Sequence, residues 1–82
     1  MNTVEEIEKR IREVEPMFKQ PICRLVGEDG NAYAIMGRVI RSLRGAGYSK
    51  ELINLYSSLA TSGNYDNLLM VSTVFTEDGE DE

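Results

Sequence analysis

The chain has 82 residues and a mass of 9.2 kDa, room for one domain and little more. It contains no histidine and one cysteine, Cys23. A Ser-His-Asp triad, a Cys-His dyad, a histidine-bound metal and an internal disulfide are therefore excluded, and the residues predict neither a metal site, a cofactor nor an enzyme.

Fourteen acids against nine bases give a net charge of −5. Five of those acids stand in the last six residues, EDGEDE, so residues 1–76 are balanced. The acidity is that of a tail, and residues 77–82 read as an acidic, disordered, solubilising segment. Within the remaining domain, residues 30–50 carry Arg38, Arg41, Arg44 and Lys50 and no acid. An anionic partner is drawn to that stretch first. No run approaches the ~20 apolar residues that cross a bilayer. The charged start, MNTVEEIEKRIREVE, does not read as a signal peptide. A cytoplasmic protein with no membrane partner is expected.

In chain order, Thr3 and Glu6 form a capping-box pair at the head of a helix over residues 3–15. Val4, Ile7, Ile11 and Val14 give it a narrow apolar stripe, and Pro16 ends it. Such a stripe either covers the domain's own core or meets its copy in a second subunit. Residues 22–26 read as a short extended segment, which would leave an open edge unless something pairs with it. GEDGN, residues 27–31, is a turn with Asn31 as cap of the next helix.

That helix, about residues 31–44, places Ala32, Ile35, Met36, Val39, Ile40 and Leu43 on one face and ends at the GAG run of residues 45–47. Ser49 caps a third helix, about 50–60, with Leu52, Ile53, Tyr56, Leu59 and Ala60 inward. After TSGN a fourth segment, about 65–75, carries Tyr65, Leu68, Leu69, Val71, Ser72 and Phe75 at helical spacing, although Val71 and Val74 also suit a strand. The fold class is thus mainly α: a small domain over residues 1–76 of about four helices with one short extended piece. A chain this short gains from burying apolar surface against a copy, so an oligomer is expected.

Two features can carry binding. GEDGN can cradle a phosphate at a helix start, or be a plain turn with a capping asparagine; it lacks the lysine of a P-loop and the spacing of a dinucleotide-binding loop. Arg38, Arg41 and Arg44 can offer guanidinium forks to phosphates, or form an ordinary solvated face. Tyr33, Tyr48 and Tyr65 each stand near a glycine turn at a helix start, where a ring can stack on a base or close the rim of the core. Arg38, Arg41, Arg44, Tyr33, Asn31, Tyr48 and Tyr65 are accordingly the candidate ligand-binding residues. Cys23 lies in an apolar run with no base to activate it, and no catalytic residue is assigned.

The run LVGEDGNAYAIMGRVIRSLRGAGYSKELINLYSSLATSGNYDNLL resembles a family of short phage and prophage proteins. Their pattern is DGN, then G-R-V, then L-R-x-x-G, then TSG-N-Y in order. The resemblance covers about residues 25–75 and implies a phage setting, hence the cytoplasm of a bacterial host. Small phage proteins without catalytic residues are often counter-defence proteins. Taken with the arginines and tyrosines, this points to a non-catalytic, oligomeric binder that sequesters a cyclic di- or trinucleotide immune signal. A protein-binding inhibitor of a bacterial defence system and a structural phage accessory protein are the alternatives. Double-stranded nucleic acid is not an expected partner.

Overall fold

A computed structural model describes residues 3–25 and 30–79. Among these residues the chain forms four helices, α1 (Val4–Val14), α2 (Ala32–Gly45), α3 (Lys50–Ala60) and α4 (Tyr65–Phe75). Two short strands, β1 (Ile22–Cys23) and β2 (Glu77–Asp78), pair in parallel. The protein is mainly α, as its periodicities predict.

Every helix begins on a side chain that satisfies an orphan backbone N–H. Thr3 accepts from the Glu6 N–H while the Glu6 carboxylate accepts from the Thr3 N–H, both at 3.1 Å. Asn31 accepts from Tyr33, Ser49 from Leu52 and Asn64 from Asn67. Such caps are worth about 1 kcal/mol each and set where each helix starts.

The end of α2 is equally specific. The Tyr48 N–H donates to the Leu43 carbonyl and the Gly47 N–H to that of Arg44. This is a Schellman closure, with Gly47 in the left-handed region at φ 87°. A side chain at residue 47 would be strained there.

The stripe of α1 is spent within the chain. Ile7 and Ile11 are buried against α3 and α4, although Val4 at the helix start remains exposed. The inward residues of α2, α3 and α4 complete one core: Ile35, Val39, Leu43, Leu52, Tyr56, Val71 and Phe75 are fully enclosed. A chain of rings crosses it. Tyr56 meets Phe75 edge-on at 5.1 Å, Phe75 meets Phe18 at 6.1 Å, and Phe18 lies 5.0 Å from Tyr48.

The short extended segment expected near residues 22–26 is present: among the described residues Ile22 and Cys23 form a strand, and its partner comes from the tail. Glu77 pairs with Ile22 and Asp78 with Cys23. The segment expected to be disordered over residues 77–82 therefore begins in a strand. The Glu77 N–H donates to the Pro21 carbonyl at 2.9 Å, and the Asp78 carboxylate accepts the Leu25 N–H at 3.2 Å. An acid that caps a backbone donor is held in place whatever the charge of its neighbours. Residues 80–82 and most of the GEDGN turn (residues 27–29), with residue 26, lie outside the described residues.

Among the described residues Tyr56 carries a strongly shifted titration. Burial pushes its phenol from 10.0 up to about 12, against a lowering contribution from its 2.7 Å hydrogen bond with the Ser72 hydroxyl. The unfolded chain loses this proton first. The stability is therefore present below pH 10 and is lost as pH rises from about 10 to 12, a decline of order 2–3 kcal/mol. Urea midpoints at pH 8, 10 and 11 should fall more steeply for the wild type than for Tyr56→Phe. Parallel declines would contradict the assignment.

Candidate functional site

The outer face of α2 is the candidate site. At 100° per residue, Tyr33, Gly37, Arg41 and Arg44 fall within a sector of about 80°, roughly opposite the buried Ile35, Val39 and Leu43. Tyr33 is 85% exposed, and Arg41 and Arg44 are exposed. No acid stands anywhere on α2. With a rise of about 1.5 Å per residue, the ring of Tyr33 and the guanidinium of Arg41 belong to backbone positions about 12 Å apart along the axis. An aromatic ring at one end and two cationic forks at the other, on a helix with no carboxylate of its own, have the chemistry to take a planar anionic ligand.

Gly37 stands between them. A Cβ built at this position meets nothing within 4 Å. Its helical backbone needs no positive φ, since Gly47 is the glycine that does. A helix-interior glycine costs about 1 kcal/mol relative to alanine. Among the described residues neither packing nor backbone geometry compensates that cost.

The remaining candidates have other duties. Arg38 is half-buried. Its Nε donates to the Arg24 carbonyl at 3.0 Å and one terminal nitrogen reaches that of Leu25 at 3.5 Å. It ties the segment after β1 to α2 rather than standing free for a phosphate. Tyr48 closes α2, packs its ring on Phe18, accepts the Lys19 N–H and donates to the Lys19 carbonyl, each at 2.9 Å. It belongs to the rim of the core. Tyr65 is partly exposed, and its hydroxyl donates to the Gly30 carbonyl. This bond braces the residue just ahead of Asn31, and Asn31 caps α2. Tyr65 and Asn31 thus hold the base of the site on which Tyr33 is carried. Cys23 is buried in the core and free.

A concavity to which the sequence did not point lies where α1 passes α4. Ile11, Phe18 and Val74 form its apolar lining, with Glu8, Arg12 and Gln20 as its polar members. Gln20 spends its amide on the carbonyls of Thr73 and Val74 at 3.2 and 2.9 Å. At about 260 Å³ the groove is smaller than the roughly 300–1,000 Å³ of pockets that enclose a drug-sized ligand. It pairs one acid with one base and so selects no charge.

Among the described residues no helix is long and apolar enough to cross a membrane. No known protein family, curated protein or solved structure matches the chain.

Proposed function

We propose that this protein is a non-catalytic binding module for an anionic nucleotide, a cyclic di- or trinucleotide, held on the outer face of α2. Arg41 and Arg44 receive phosphate and Tyr33 stacks on a base. The observation that carries the reading is the acid-free, solvent-open sector of α2 that joins an almost fully exposed tyrosine to two exposed arginines. Charge-assisted guanidinium–phosphate bonds are roughly twice as strong as neutral ones. Base–aromatic stacking adds about 1–3 kcal/mol per base.

The resemblance of residues 25–75 to small phage proteins supports the setting. The protein would sequester a nucleotide signal of host immunity in the bacterial cytoplasm, as a homo-oligomer. One exposed helix face encloses a cyclic ligand poorly, and apposed copies would close over it.

Native mass spectrometry tests the reading. The purified protein is sprayed alone and with cyclic di-AMP, cyclic di-GMP, cyclic GMP-AMP and cyclic triadenylate. The expected result is a multimer that gains stoichiometric nucleotide mass, released unchanged on denaturation. Release of a hydrolysed product would replace the binder with an enzyme. A chain that ignores all four nucleotides would refute the reading.

A further inference from the structure

Gly37 stands in the middle of α2, on its outer face. No positive φ demands it, and among the described residues no neighbour within 4 Å excludes a side chain. Helix α2 nevertheless gives up helix propensity at its centre. A glycine where the chain itself needs none is accounted for when something outside the chain must come closer to the backbone than a Cβ permits. Its neighbours say what that partner is. One turn before lies the exposed Tyr33, and one turn after lies the exposed Arg41, with Arg44 beyond it.

A second copy of α2 is a poor occupant. A two-fold pairing of this face, parallel or antiparallel, would bring the exposed arginines of two copies together with no acid from α2 between them. An anion with a flat apolar surface meets each feature in turn.

We propose that Gly37 is the seat of the nucleobase: one face of the ring lies on the bare helix backbone at Gly37 and Tyr33 stacks on the other, with its phosphate reaching Arg41 and Arg44. This rests on the nucleotide reading above and adds where the base sits.

Gly37→Ala and Gly37→Leu test the assignment in the full chain. Both substitutions put a good helix former at an open position, so the thermal midpoint should stay level or rise. Affinity is measured by calorimetric titration with cyclic di-AMP, cyclic di-GMP and cyclic triadenylate. Gly37→Leu should weaken the nucleotide bound by the wild type at least tenfold, and Gly37→Ala by a smaller factor. If Gly37→Leu lowers the midpoint by more than about 5 °C, the Gly37→Ala variant decides. A folded variant that binds like the wild type overturns the base seat and leaves nucleotide binding standing. A wild type that binds none of the three overturns both.

Discussion

Phe75→Ala should lower the stability of this protein by about 3–5 kcal/mol, a large share of what a domain of 82 residues has. Phe75 is completely enclosed, stacks edge-on against Tyr56 at 5.1 Å and against Phe18 at 6.1 Å, and sits at the end of α4 where β2 begins. Truncating a buried phenylalanine costs about 3–5 kcal/mol, through lost transfer energy and the cavity left behind. At roughly 0.05–0.15 kcal/mol per residue, a domain this small has only about 4–12 kcal/mol to lose. The ring also joins α3, α4 and the loop that carries Phe18, so its loss loosens three elements together. Urea titration followed by helical circular dichroism checks this. An unfolding free energy lowered by less than about 1 kcal/mol would mean that Phe75 is not the keystone of the core.

Arg41→Ala with Arg44→Ala should do the reverse, removing ligand binding and sparing the fold. Both side chains are exposed, and alanine is at least as good a helix former. Arg44 stands in the last turn of α2, where a cation is favourable by about 0.3–1 kcal/mol, which bounds the stability loss. Two charge-assisted phosphate contacts at about 1.5–3 kcal/mol each, discounted for solvent at an open face, predict a fall in nucleotide affinity of about 10²–10³-fold. Affinity of the wild type should also fall steeply with salt, because exposed charges more than about 10 Å apart are screened at 0.1 M. Equal affinity in the double variant would remove the arginines from the site. Arg38→Ala is the contrasting variant. Its guanidinium serves the carbonyls of Arg24 and Leu25, so its loss should register in stability before affinity.

The four helices were legible because each is marked locally. Thr3, Asn31 and Ser49 stand as caps immediately before apolar stripes at helical spacing, and Gly47 stands just past the end of α2. Helical spacing also separated the outward Arg41 and Arg44 from the inward Val39 and Leu43. What escaped depends on contacts between residues far apart in the chain. The partner of β1 lies 55 residues on, inside a block of acids, and nothing local shows that Asp78 will cap Leu25. Arg38 looks like its neighbours until its carbonyl partners 13 and 14 residues earlier are known. Tyr65 likewise spends its hydroxyl on a carbonyl 35 residues away.

Tyr48 is the instructive exception. The order Leu43-Arg44-Gly45-Ala46-Gly47-Tyr48 is a readable Schellman sequence, in which an apolar residue after the left-handed glycine packs back on the helix. Read that way, Tyr48 belongs to the rim of the core rather than to a ligand. Gly37 was legible only as a letter. Its significance comes from the empty space around it, which no spacing rule conveys.

The most direct measurement is a backbone amide shift map of the ¹⁵N-labelled full chain titrated with the cyclic nucleotide that binds tightest. Perturbations centred on Tyr33, Gly37, Arg41 and Arg44 and fading toward the buried side of α2 are the predicted result. Perturbations confined to Glu8, Arg12, Phe18 and Gln20, or a spectrum unchanged at millimolar nucleotide, would contradict nucleotide capture by the outer face of α2.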